Sequence, residues 1–290
     1  MFERLGLIGC GLMGGSFALA ARRAGLVQRV AGHSKSPASA HRAHELGVID
    51  EVADSAAQAA AGADLVLLAV PVAATEATLR AIRPALRPDA LILDVGSTKA
   101  DVAAAARRAL GDQARQFVPC HPITGREVAG VEHADANLYR GTQVIVTPTD
   151  DTQVARVERT VALWRALGCH VVELSPEAHD AALAAVSHLP HLLAFAFMNG
   201  LLAQPDGGRS LALAGPGFRD FTRIAAGDPS LWRDVLLANR DEVGAQLRHF
   251  QQALAEFEQA LAAGRADALE PLIRRASAAR AAWGGPAIAR

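Results

Sequence analysis

The sequence predicts an α/β domain built on a parallel sheet, followed by an all-helical domain, and three observations carry that prediction. Short apolar runs without polar alternation recur through the first half, separated by Ala-rich amphipathic stretches; such runs suit strands covered on both faces, as in parallel α/β sheets. A glycine-rich turn joins the first run directly to the first amphipathic stretch. Beyond residue 175 no convincing strand follows, and every segment reads as helix. The boundary falls near residue 173, dividing the chain into 1–173 and 174–290.

Each element has a local reason. Leu5-Gly6-Leu7-Ile8, Arg29-Val30-Ala31, Leu65 to Val70 and Leu91 to Val95 are strand-sized apolar runs, and further strand candidates follow at Gln116 to Pro119, Gln143 to Thr147 and His170 to Leu174. A helix is expected from about Asp151 to Leu167. At Ser175-Pro176-Glu177 a capping serine, a proline at the first helical position and an acid in the first turn start another. Helices are then expected at Pro176 to Gln204, at Arg209 to Ala226 with glycine interruptions, at Pro229 to Ala263 behind an Asp228 cap, and at Ala266 to Ala282. Ala181 to Pro205 contains no Asp, Glu, Lys or Arg and is long enough to span a bilayer. It also carries Ser187, His188, Pro190, His191, Asn199 and Gln204, which are costly in hydrocarbon. The expectation is therefore a helix buried inside a soluble domain, with no membrane contact.

Composition narrows the function class. With 290 residues, 51% of them hydrophobic, the chain can bury a substantial core. Its 29 Lys plus Arg against 30 Asp plus Glu leave a net charge of -1, so no basic field exists to hold nucleic acid or an anionic membrane. Among the cations only Lys35 and Lys99 are lysines. Cys10, Cys120 and Cys169 form no C-x-x-C pair, and the N-terminus resembles neither a signal nor a transit peptide. A cytoplasmic protein is expected.

Gly9-Cys10-Gly11-Leu12-Met13-Gly14 follows the first strand and opens a helix, which is the context a dinucleotide site requires. Gly9 permits the tight turn, Gly11 lets backbone approach a pyrophosphate, and Gly14 lets the helix sit close on the strand. The first domain is thus expected to be Rossmann-type. NAD enzymes usually carry an acid roughly 20 residues after this fingerprint, to accept from the ribose hydroxyls. Here Gly32-His33-Ser34-Lys35 stands instead, and His33, Ser34 and Lys35 can donate to a 2'-phosphate. NADP is the expected cofactor, with NAD as the alternative. Val70, Pro71 and Ser97, at the ends of later apolar runs, complete the expected cofactor contacts.

Polar groups gather after later strands, where open α/β sheets place their chemistry. Asp94-Val95-Gly96-Ser97-Thr98-Lys99 is one such loop, and Cys120-His121-Pro122-Ile123-Thr124-Gly125-Arg126-Glu127 is another. His188 and His191 share a helix face at a spacing of three, and Arg219 and Arg223 one at a spacing of four. No third residue at metal-ligand spacing accompanies the histidines, so no metal is expected.

These motifs, in this order and spacing, resemble the prephenate and arogenate dehydrogenase family of tyrosine biosynthesis over nearly the whole chain. The matching segments are Gly9-x-Gly11-x-x-Gly14, Asp94 to Lys99, His121 to Gly125, Ser187-His188-Leu189-Pro190-His191 and Gly217 to Arg223. The resemblance implies oxidative decarboxylation of prephenate, arogenate or both, giving 4-hydroxyphenylpyruvate or tyrosine. It implies that His121 takes the hydroxyl proton, that Ser97 hydrogen-bonds beside it, and that Arg223 grips a substrate carboxylate. His188, His191, Arg219, Glu127 and Trp232 match substrate-pocket positions by the same resemblance. Ser97 has a second reading as the cap of a helix starting near Ala100, Arg219 as a partner of Asp220 or Glu242, and Trp232 as core. A homodimer through the C-terminal helices, with tyrosine as an inhibitor, is also implied. Two alternatives stand beside this. A β-hydroxyacid or 6-phosphogluconate type dehydrogenase would need a lysine on the linking helix, and the chain has none after Lys99. A dinucleotide-binding sensor without activity would show no turnover.

Overall fold

The computed structural model describes residues 1–126 and 128–284. The chain begins β1 (Phe2–Ile8), α1 (Leu12–Arg23), β2 (Val27–His33), α2 (Pro37–Glu45), β3 (Glu51–Val52), α3 (Ala56–Ala60), β4 (Leu65–Leu68), α4 (Thr75–Ile82), β5 (Leu91–Asp94), α5 (Ala100–Leu110) and β6 (Phe117–Val118). These strands form one six-stranded parallel sheet in the order β3-β2-β1-β4-β5-β6, so the order reverses beside β1. An open α/β sheet of this type binds its ligand at such a reversal, at the carboxyl ends of the strands. Every residue of β4 and β5 is buried, which explains their unbroken apolar runs.

The remaining strands depart from the expected single sheet. β7 (Cys120–Pro122), β8 (Gln143–Val146) and β9 (His170–Glu173) make a second, three-stranded sheet, with β7 antiparallel to β8 and α6 (Val154–Ala166) between β8 and β9. Pro119 separates β6 from β7, and the chain changes sheets there. Phe17 of α1 meets Trp164 of α6 edge-on at 5.3 Å between ring centres, and Tyr139 meets Trp164 at 5.4 Å. This aromatic cluster fastens the second sheet to the first.

The helical region contains α7 (Pro176–Leu183), α8 (Leu189–Leu202), α9 (Gly207–Leu211), α10 (Pro216–Thr222), α11 (Pro229–Ala238), α12 (Arg240–Ala262) and α13 (Ala266–Ala282). The expected caps are present: Ser175 Oγ accepts from Ala178 N at 3.1 Å, and Asp228 Oδ1 accepts from Leu231 N at 2.8 Å. Two expected helices are interrupted. A π turn over Ala184–His188 joins α7 to α8, and the helix expected over 229–263 breaks at Asn239.

The charge-free segment is also less buried than expected. Pro176–Leu202 is long and apolar enough to cross a membrane, yet only 28% of its 18-residue apolar window is buried inside the chain. In α8 only Leu189 and Ala194 are buried, while Phe197 and Leu202 are exposed. Its apolar residues cover more than one face of the helix, and the chain's own core takes up only one of them.

Candidate active site

The glycine turn has the shape of a phosphate cradle. Gly9 adopts φ +100°, and a Cβ there would lie 2.1 Å from the carbonyl oxygen of Ala69. A Cβ on Gly14 would strike the Gly9 oxygen at 2.1 Å, whereas Gly11 faces open space. The N-cap, Gly11, has no side chain to cap α1, which leaves the helix's first N–H groups to an anion at its positive end. The residues present therefore fit a dinucleotide pyrophosphate.

Beside this turn lies an open cleft of about 350 Å³, lined by Cys10, Gly11, Ser34, Ser39, Arg42 and Glu132 among others. Ser34 Oγ accepts from Cys10 N at 3.1 Å, and His33 Nδ1 sits 3.1 Å from the Ala53 oxygen. Lys35 is exposed at the end of β2. Burial pushes the Cys10 thiol up to about 11, so it is a structural group rather than a nucleophile. Tyr139 donates to the Met13 oxygen at 2.7 Å and ties the neighbouring loop to the start of α1. Half-buried Val70 and exposed Pro71 follow β4 on this same side of the sheet.

His121 lies on β7, and its mounting is unusually polar for a buried place. Asp94, at the end of β5, accepts from Cys120 N at 2.9 Å and from Gly96 N at 2.8 Å. Lys99 Nζ pairs with Asp94 and donates to the Cys120 oxygen at 2.9 Å. The two ends of this ion pair thus hold both backbone groups of the residue before His121. Lys99 is fully buried. The two lysines therefore differ: Asp94 draws Lys99 inward, whereas Lys35 stays exposed.

Behind His121 stands a second line of polar groups. His121 Nδ1 is 2.8 Å from His179 Nε2, and His179 Nδ1 is 2.7 Å from Asp180 Oδ1. Asp180 also accepts from Lys99 N at 2.8 Å and Ala100 N at 2.9 Å. It therefore caps α5 from the other half of the molecule, the role that the second reading gave to Ser97. Burial raises the Asp180 carboxyl, but the bonds from His179, Ala100 and Lys99 outweigh it and hold the group below the usual carboxylate range. Burial, reinforced by His179, Lys99 and His188, holds His121 well below the ordinary imidazole range.

The cluster continues into the helical region. Asn239 Nδ2 donates to the Asp180 carbonyl oxygen at 2.8 Å and lies 3.0 Å from His188 Nδ1. His188 Nε2 is buried with no hydrogen-bond partner among the described residues, as expected of a group waiting for a ligand. Burial lowers His188 to about 4. His191 donates from Nδ1 to the Ser187 oxygen at 2.9 Å and stacks on Trp232 at 3.5 Å, so Trp232 belongs to the histidine cluster. A Cβ on Gly227 would meet Trp232 Nε1 at 2.5 Å, so that glycine lets the ring lie close.

His121, His188, His191 and Trp232 thus come together, with Ser97 half-buried on the loop between Asp94 and Lys99. Arg223 begins a short 3-10 turn packed against α8, the helix of His191. Arg219 is exposed one turn earlier, on α10. Glu127 lies outside the described residues. Sequence reasoning missed His179, Asp180 and Asn239. Asn239 carries a readable signal, since Glu242 follows three residues later as at a helix start. His179-Asp180 carries none beyond being the last charged step before the apolar segment.

Two family models match the chain: the prephenate dehydrogenase nucleotide-binding domain over residues 17–173 and the prephenate dehydrogenase dimerization domain over 175–275. A prephenate dehydrogenase of Bacillus subtilis is 36% identical over 89% of this chain and 69% of its own length. A cyclohexadienyl dehydrogenase of Zymomonas mobilis is 33% identical over 97% and 96%. The structure of A. aeolicus prephenate dehydrogenase in complex with hydroxyphenyl propionate and NAD+ matches with a TM-score of 0.88, at 35% identity over 97% of both chains.

Proposed function

The chain belongs to the prephenate dehydrogenase family, and from that premise we propose that His121 takes the substrate hydroxyl proton while Arg223 holds a substrate carboxylate. It is an NAD(P)-dependent oxidoreductase that decarboxylates prephenate oxidatively. When bound, the nicotinamide accepts the hydride of the hydroxyl-bearing ring carbon. The bond to the ring carboxylate breaks, carbon dioxide leaves, and the electron pair left behind completes the aromatic ring. The ring product keeps its oxygen as a phenol, so the proton lent to His121 is returned and none is released overall.

The observation that carries this reading is the depressed, firmly braced imidazole of His121 beside His188 Nε2, which is buried without a partner among the described residues. A base must be neutral to accept a proton, and burial keeps it so. Ser97 hydrogen-bonds beside the reacting hydroxyl, and His188, His191, Trp232 and Arg219 surround the substrate. Replacing His121→Asn should lower kcat by about 10²–10⁴-fold while KM changes little, because the bond matters most as the proton departs. Turnover within a few-fold of the parent would overturn the assignment.

Both prephenate and arogenate are proposed as substrates. NADP is proposed as the preferred cofactor, supported by a β2 end without a carboxylate, by exposed Lys35 next to Ser34 in sequence, and by Arg42, which lines the cleft together with Ser34. Steady-state kcat/KM with both substrates and both cofactors tests these choices together. A large preference for NAD, unchanged by Lys35→Ala, would overturn the cofactor choice. The assembly is proposed to be a soluble, cytoplasmic homodimer formed through the C-terminal helices. Tyrosine is proposed to inhibit by competing for Arg223 and His191.

A further inference from the structure

The line of groups behind His121 has a polarity that can be worked out atom by atom. Asp180 is ionised, and a carboxylate can only accept, so the proton shared with it resides on His179 Nδ1. With one proton on that ring, His179 Nε2 presents a lone pair to His121 across 2.8 Å. His121 Nδ1 must then be the donor, and a neutral His121 carries its own lone pair on Nε2. The reverse polarity, with His179 donating to His121, would leave an N–H at the atom that has to accept the hydroxyl proton.

We propose that His179 and Asp180 are positioning residues that fix the tautomer of His121, keeping its Nε2 as the acceptor and compensating the imidazolium formed when the proton arrives. This assignment rests on the reading of His121 as the base. The proton moves from the hydroxyl to His121 Nε2 and returns to the ring oxygen as the carboxylate departs, so the line has no need to reach solvent. Its burial agrees: His179 is 0% and Asp180 4% exposed. Both Asp180 oxygens are engaged, by His179 and by the backbone N–H groups of Lys99 and Ala100. The line therefore ends in a fixed carboxylate rather than in a proton exit. Lys99 and His188, the other titratable groups bearing on His121, lie outside it.

A second consequence follows from where the parts sit. His121 and the start of α5 belong to the sheet region, whereas His179 and Asp180 belong to α7. The contacts that cap α5 and set the His121 tautomer thus form together, when helix α7 is seated on the sheet domain.

The test uses His179→Leu and His179→Gln in the full chain. His179→Leu removes the acceptor and should lower kcat about 10²-fold or more, as loss of the correct tautomer does elsewhere, with substrate and cofactor KM within a few-fold. His179→Gln supplies a carbonyl for His121 and an amide N–H for Asp180, and should recover about tenfold of that loss. Nitrogen NMR of the histidine rings, with His121 assigned by its absence in His121→Asn, should show the parent protein protonated at Nδ1. A His121 ring protonated at Nε2, or a His179→Leu enzyme within about threefold of the parent, would overturn the proposal. Should His179→Leu fail to fold, the parent's NMR tautomer and the Gln variant still decide. Collapse in His121→Asn with full activity in His179→Leu would reject only the positioning line, whereas survival of His121→Asn would reject the base itself.

Discussion

The sheet domain and the helical domain treat their apolar residues in opposite ways. In the first, Leu65, Leu67, Leu91 and Leu93 are completely buried between helices of the same domain. In the second, Leu213 is 88%, Leu261 64%, Leu237 62% and Leu254 53% exposed. A parallel sheet is covered on both faces by its own crossover helices. A few helices packed side by side leave apolar stripes uncovered, and a monomer seldom tolerates so many. The active site lies at the seam between these two regimes. Its proposed base, His121, comes from the self-sufficient domain, and His179 and Asp180, proposed to orient it, come from the domain whose apolar stripes stay uncovered.

The sharpest way to break this comparison is to charge the uncovered stripe. Phe250, Leu254 and Leu261 recur on one face of α12 and all are exposed. Burying a leucine is worth about 1.5–3 kcal/mol, and a two-fold interface counts each residue twice. The double variant Leu254→Asp, Leu261→Asp should therefore turn a dimer into a monomer by light scattering and lower its melting temperature. An unchanged mass would show that this stripe is not the contact.

The weak point of the sheet domain should be internal instead. Lys99→Met leaves the Asp94 carboxylate buried without its cation, a loss of about 3–5 kcal/mol. Denaturant unfolding should show that loss, with no change in the assembly's mass by light scattering. Arg107→Met, which removes the exposed pair with Asp151, should cost under about 1 kcal/mol. Equal effects of the two variants would deny that Lys99 braces the His121 strand.

What was legible in the sequence follows the same division. The glycine turn and the runs that became β1, β4 and β5 could be read because local pattern and final burial agree there. The second sheet was not separable from the first, since β7 is short and its antiparallel pairing is a long-range choice. Among site residues, His121 and the His188/His191 pair were legible through motifs. The site roles of His179, Asp180 and Asn239 were not, and Asn239 was legible only as a helix start, because each acts through a partner more than fifty residues away, as in Asp180 with Lys99 and Asn239 with His188. The burial of the apolar helix was misjudged for a physical reason: hydrophobicity states that a face will be covered and is silent on which chain covers it.

The seam should also be the part most sensitive to pH. Unfolded, the His188 ring titrates near 6.5; folded, burial first and then His179 and His191 lower it to about 4. Between those values the unfolded chain binds a proton that the folded chain refuses, so the stability from this group is complete above 6.5 and declines as pH falls toward 4. The full decline amounts to about 3 kcal/mol. His121, lowered in the same direction, adds to the slope. Urea titrations across this window should therefore show stability rising with pH. In His188→Gln the slope should flatten without vanishing, since an amide cannot titrate but His121 still does. The exposed α12 variants should retain the parental slope, because the titrating rings lie at the domain seam rather than on the exposed stripe of α12. A His188→Gln slope equal to the parent's would place the pH dependence elsewhere than at this ring.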